Sequence, residues 1–180
     1  MINLIKLSSL FLCLCSIVAM HPEDPKDRPH HLLTYGTIGS VFHNGDQLFI
    51  GQYNSSLDNG LVYVYSSNKE GNYSKHKILC PIPEAKGYQF GHSIAAYGDY
   101  LVIGAPNRVK SKGKTFLFKK NNFNEWIFQK ELIPREDISH DFGSTVYIND
   151  KHIFIADRYL NGNQGAVFSF FKDDDEWVGI

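Results

Sequence analysis

FGHSIAAYGDYLVIGAP, residues 90–106, is the stretch from which the architecture can be read. Two apolar runs, Ile94–Ala96 and Leu101–Ile103, flank the pair Gly98-Asp99. Gly-Asp tolerates the positive φ that a two-residue hairpin turn demands, so the runs read as antiparallel neighbours. Side chains alternate between the two faces of a strand, and the second run places apolar residues at consecutive positions. A sheet with one wet face shows a polar residue at every second position instead. Both faces are apolar here, so the sheet that holds these strands must be covered on both sides.

Two further segments align on the same glycines. They are GSVFHNGDQLFIGQYNSSLDNGLVYVY from Gly39 and FGSTVYINDKHIFIADRYLNGNQGAVFSF from Phe142. The step from Val41 to Gly51, from Ile94 to Gly104 and from Val146 to Ala156 is ten residues each time. From those positions to Gly60, Gly113 and Gly165 it is nine each time, and the later glycines repeat at intervals of 53 and 52 residues. Agreement at several registers across three copies marks a repeat.

Each unit reads as four short strands. The turns His43–Asp46, Tyr97–Tyr100 and Ile148–Lys151 join the first two as two-residue hairpins. Gly60, Gly113 and Gly165 launch the third strands, and the rings Tyr73, Trp126 and Trp177 open the fourth, which run through Leu79 or Leu132. No stretch sustains a helical period of apolar residues. The expected fold is all-β, with stacked four-stranded antiparallel blades forming a partial β-propeller of about three blades.

The start of the chain reads as an address. Residues 1–19 carry one charge, Lys6, then an apolar run and the small residue Ala19. The run Leu7–Met20 spans 14 residues, short of the roughly 20 that cross a bilayer. A secretory signal peptide is the expected assignment. The division that follows is signal peptide 1–19, polar proline-rich leader 20–34, repeat one 35–87, repeat two 88–139 and an incomplete repeat three 140–180. Removing residues 1–19 leaves 161 of the 180, takes away one lysine and no acid, and brings the formal charge from −1 to −2. That balance excludes an electrostatic nucleic-acid binder, which needs basic charge to neutralise phosphates. Cys13 and Cys15 depart with the signal, leaving Cys80 alone, so no disulfide framework is expected within the mature chain. Asn54-Ser55-Ser56 and Asn72-Tyr73-Ser74 match the N-glycosylation pattern.

With both name-giving motifs, Phe90-Gly91 and Gly104-Ala105-Pro106, the second repeat resembles the FG-GAP repeat. That repeat is the blade of β-propellers found in integrin α chains and in many secreted or surface proteins. The third copy keeps Phe142-Gly143 but has Ala156-Asp157-Arg158; the first keeps only Gly39 and Gly51, with Ile38 and Gln52-Tyr53 as departures. The resemblance covers residues 35–180. It implies a propeller, and such propellers close with about seven blades. Three copies leave apolar faces at both ends, so the chain is expected to self-associate or to be part of a longer propeller. His31-Leu32-Leu33 is a candidate outer strand for another blade.

Some integrin-type blades hold calcium in aspartate-rich loops. The matching loops here, QYNSSLDN, APNRVKSK and DRYLNGNQ, offer Asp58, no acid and Asp157. The ion takes six to eight oxygens, several of them carboxylate, so no calcium, other metal or cofactor is expected. The acidic run Asp173–Glu176 reads as a solvated turn. The eight histidines show no zinc spacing, and no G-x-S-x-G elbow or phosphate-cradling glycine loop is present. Ser40, Ser93 and Thr145 share one register, which suits a hydrogen bond inside each blade better than a nucleophile. Small residues at Gly51, Gly104 and Ala156 would let inner strands approach closely. No catalytic residue is expected. Binding is expected in the loops after the second strands, at Tyr53, Asn107, Arg108, Arg158 and Tyr159. The functional expectation is a secreted, non-catalytic binding or adhesion module contacting an extracellular protein or glycan, with homo-oligomers possible and no membrane span after signal removal. The alternative is a piece or subunit of a larger propeller associated with a hydrolase.

Overall fold

The structure is a computed structural model that describes residues 37–54, 60–79, 88–107 and 111–179. The expected signal, the leader, His31-Leu32-Leu33, Asp58, Cys80, Arg108 and the side chain of Asn54 lie outside the described residues. Among the described residues, twelve strands form three open, four-stranded antiparallel sheets, each with its strands in chain order. The first sheet holds β1 (Thr37–His43), β2 (Gln47–Asn54), β3 (Leu61–Ser67) and β4 (Tyr73–Leu79). The middle sheet holds β5 (Ser93–Tyr97), β6 (Tyr100–Ala105), β7 (Lys114–Lys120) and β8 (Trp126–Glu131). The third holds β9 (Thr145–Ile148), β10 (His152–Asp157), β11 (Ala166–Asp173) and β12 (Glu176–Gly179). Among the described residues no helix is long and apolar enough to cross a membrane.

The double-sided apolar pattern has the expected consequence. Leu101, Ile103, Phe116, Phe118 and Trp126 of the middle sheet pack in one layer with Phe49, Val62 and Val64 of the first. The alternate residues Tyr100, Val102 and Leu117 pack in a second layer with Val146, Ile153, Ile155, Phe168 and Phe170 of the third. Consecutive residues of β6 thus serve opposite layers, as pleat alternation requires. One tryptophan marks each layer. Trp126 meets Phe49 at 5.7 Å between ring centroids, and Trp177 meets Tyr100 at 5.6 Å.

The recurring hydroxyl does something other than expected. Ser40 Oγ donates at 2.8 Å to the carbonyl of Gly91, and Ser93 Oγ donates at 2.8 Å to that of Gly143. These bonds cross from one sheet to the next, so the expectation of a bond inside each blade is corrected. The accepting carbonyls belong to the glycines after Phe90 and Phe142, whose φ values of +86° and +88° suit glycine alone. The second-strand glycines lie against the same groups. A Cβ on Gly51 would stand 2.7 Å from the Gly91 carbonyl carbon, and one on Gly104 2.9 Å from that of Gly143, closer still to the oxygens. Glycine is therefore the residue that lets neighbouring sheets touch backbone to backbone.

Of the three hairpins that join first and second strands, Gly98-Asp99 has two residues; the others have three, Asn44–Asp46 and Asn149–Lys151. The side chains of Asn44 and Asn149 explain the extra residue. Asn44 Oδ1 accepts from the Gln47 backbone at 3.0 Å, and Asn149 Oδ1 accepts from those of Lys151 and His152 at 2.9 and 2.7 Å. A short helical turn, α1 (Leu160–Asn163), interrupts the all-β pattern, with Asn161 and Gly162 in the left-handed region. The acidic run forms the β11–β12 turn, where Asp175 and Glu176 approach Lys119 and Lys130 of the middle sheet at 3.8 and 2.6 Å.

Candidate functional site

The β2–β3, β6–β7 and β10–β11 connections all leave the ends of second strands, so the repeat carries them to corresponding places on the three sheets. The third is the one whose residues are all described. It begins where Ala156-Asp157-Arg158 replaces the Gly-Ala-Pro of the second copy. Asp157 is fully buried. Its carboxylate accepts from the Ser139 backbone N–H at 2.6 Å and from the Ser139 hydroxyl. That pairing tethers the segment entering the third sheet to the end of β10.

Arg158 forms the second tie. Its Nε and one terminal nitrogen donate to the two oxygens of Asp141 at 2.7 and 3.1 Å. The arginine side chain is 57% exposed while the aspartate side chain is 7% exposed. Burial disfavours the Asp141 charge, but hydrogen bonds and charge from Arg158 outweigh it and hold the carboxyl below its ordinary range. The same hydrogen bond raises Arg158. Tyr159 follows, 46% exposed, and stacks on His140 at 5.2 Å and 13° between ring planes. The Arg158 guanidinium lies 5.7 Å from the centre of the Tyr159 ring. One exposed cation and two rings are thus held in fixed order over two buried carboxylates. Beside them is an open depression of about 430 Å³ lined by Asp157, Arg158, Gln164, Gly165 and Val167 among others.

The other expected binding residues are placed differently. Asn107 is buried, with its backbone N–H donating to the His140 carbonyl at 2.7 Å. Tyr53 is half-buried, with its ring 5.3 Å from that of His92. His92 Nδ1 in turn lies 3.2 Å from the Ser144 carbonyl oxygen, so one contact chain passes through all three sheets. Arg158 and Tyr159 come together; Tyr53 and Asn107 stand apart from them and from each other.

Sequence reading missed Asp141, Ser139 and His140. A signal for Asp141 was present. Where the second copy has Gln89 and Pro106, the third has Asp141 and Arg158, two departures of opposite charge in one unit. Among the described residues no three or more of His, Cys, Asp and Glu converge as a metal site would need. Comparison of the chain with known protein families and with curated proteins found no match.

Proposed function

We propose that this chain is a secreted binding module whose three sheets are FG-GAP-like blades of a partial propeller, and that it contacts an extracellular protein or glycan through the β10–β11 rim. The observation that carries the reading is the exposed Arg158–Tyr159–His140 group, fixed from below by buried Asp141. Arginine and tyrosine dominate interface energetics, and a side chain already held in place loses little freedom on binding. The blade reading is supported by the junction of the first strands, where β1 lies against β5 and β5 against β9.

The test is binding of the secreted chain to intact cells and to arrayed glycans, compared with Tyr159→Ala. That substitution leaves the Arg158–Asp141 pair in place, so the thermal midpoint should hold while binding falls about tenfold or more. Unchanged binding would refute the rim assignment. A second reading, a piece of a larger propeller associated with a hydrolase, draws support from the outer face of the third sheet, where Tyr147, Phe154 and Val167 are exposed.

A further inference from the structure

An asparagine followed by glycine can be attacked by its own backbone. The glycine nitrogen adds to the asparagine Cγ; that C–N bond forms, the bond from Cγ to the side-chain nitrogen breaks, and ammonia leaves carrying the glycine N–H proton. Water then opens the cyclic imide at either carbonyl, giving aspartate or, with the chain rerouted through Cγ, isoaspartate. The sum is amide plus water to acid plus ammonia, with no change of oxidation state. Glycine favours the closure because no Cβ crowds its nitrogen and its backbone turns freely. The chain carries three such pairs, Asn44-Gly45, Asn59-Gly60 and Asn161-Gly162, of which Asn59 lies outside the described residues.

The fold treats the other two pairs in opposite ways. In the β1–β2 hairpin, Asn44 is half-buried, its Oδ1 accepts from the Gln47 N–H at 3.0 Å, and its own N–H donates to the Gln47 carbonyl at 3.1 Å. The attacking nitrogen, that of Gly45, is engaged by His43 Nδ1 at 3.4 Å. Electrophile and nucleophile are both held. In α1, Asn161 and Gly162 are exposed, and among the described residues neither the Asn161 carboxamide nor the Gly162 N–H has a hydrogen-bond partner. The bonds that close the turn run from the Asn163 N–H to the Tyr159 carbonyl at 3.4 Å and from the Gly165 N–H to the Leu160 carbonyl at 3.1 Å. Both pass the reacting groups by. A Cβ on Gly162 would meet nothing within 4 Å, so the cyclic imide has room. Asn161 also sits at φ +53° and ψ +47°, a conformation a non-glycine residue keeps only where its surroundings enforce it, and α1 buries no residue.

We propose that Asn161 is a modification site, at which the Gly162 nitrogen and water convert the carboxamide to aspartate and isoaspartate, and that the conversion remodels the β10–β11 connection. Isoaspartate inserts an extra carbon into the backbone between residues 161 and 162, inside the span that the Asn163 and Gly165 bonds close. The turn opens as a result. Either product places a new carboxylate three residues beyond Arg158, the exposed cation of the rim. The inference does not depend on what the rim binds.

The test is incubation of the folded chain in mildly alkaline buffer, with tryptic peptides read by mass spectrometry over time. Cleavage after Arg158 and Lys172 releases Asn161 in its own peptide, apart from the other two Asn-Gly pairs. Asn161 should convert at least about tenfold faster than Asn44, where two hydrogen bonds must break before the ring can close. In urea, with the fold lost, the two should convert at similar rates. Equal rates in the folded chain, or a gap that survives in urea, would overturn the site. The remodelling is read separately by hydrogen exchange. In the converted chain the Gly165 N–H should exchange faster, and an Asn161→Gln chain given the same incubation should keep its original rate. Unaltered exchange in the converted chain, or an equal gain in the Asn161→Gln chain, would overturn the remodelling.

Discussion

Gly104→Ala adds one methyl group at the junction between the middle and third sheets. Its carbon would stand 2.9 Å from the Gly143 carbonyl carbon and nearer to the oxygen, inside the roughly 3.5 Å of a relaxed carbon contact. The obstacle is backbone, so no side-chain rotation relieves it. Overpacking of this kind costs about 1–3 kcal/mol. Moving the Gly143 carbonyl also breaks the bond from Ser93 Oγ, worth about 1 kcal/mol. Against these stands about 0.5–1 kcal/mol gained because alanine suits a strand better than glycine. The balance is a loss of about 2 kcal/mol, or about 6 °C in thermal midpoint for a domain of this size. Urea unfolding followed by tryptophan fluorescence measures it. The two tryptophans also locate the damage: Trp177, in the disturbed layer, should lose its burial at lower urea than Trp126, in the other. Gly51→Ala should reverse the order. A Gly104→Ala variant within about 0.5 kcal/mol of native stability would refute the backbone-contact account of the junction.

Thr115 is fully buried with an unpartnered hydroxyl, while valine stands at the same register in the other copies, as Val62 and Val167. Thr115→Val should raise stability by about 1 kcal/mol in a urea melt, and a loss of that size would show that the hydroxyl is satisfied. Because Asp141 titrates lower in the folded chain than in the unfolded one, it stabilises the fold above its unfolded value, about 3.9, and that gain is lost as pH falls through the folded value. Asp141→Asn should therefore cost about 1–2 kcal/mol at neutral pH, the figure being reduced for the exposure of Arg158, and flatten the acid limb of a stability-against-pH curve; an unchanged limb would show the pair to be inert. With the Asp157 carboxylate engaged by Ser139, a chelator should leave the thermal midpoint unchanged, and a drop beyond about 3 °C would reveal a bound cation.

The strands and their grouping were legible because the constraint behind them is local and repeated. A run such as Leu101–Ile103 has one interpretation once side chains alternate, and three glycine registers in step exclude coincidence. Loop lengths were less legible. Asn44 and Asn149 lengthen their hairpins by bonding backbone two or three residues ahead, and residue type alone does not announce whether a turn asparagine will do so. The destination of the serine hydroxyls was hidden for another reason. Register shows that Ser40 and Ser93 do the same thing, but their acceptor lies about 50 residues away, in the following repeat. Only the stacking of sheets brings the two together.

The candidate site shows the same division between what repeats and what departs. Arg158 and Tyr159 could be singled out by residue type and loop position, whereas the group that fixes Arg158 sits 17 residues earlier, before the phenylalanine-glycine motif. In the second copy that place is held by Gln89, whose N–H bonds the Pro106 carbonyl at 2.9 Å. The third copy keeps the backbone proximity of these two positions and exchanges the residues for an ion pair. A repeat fixes which backbone segments meet, so a paired change of charge at two such segments points to a contact without any coordinates.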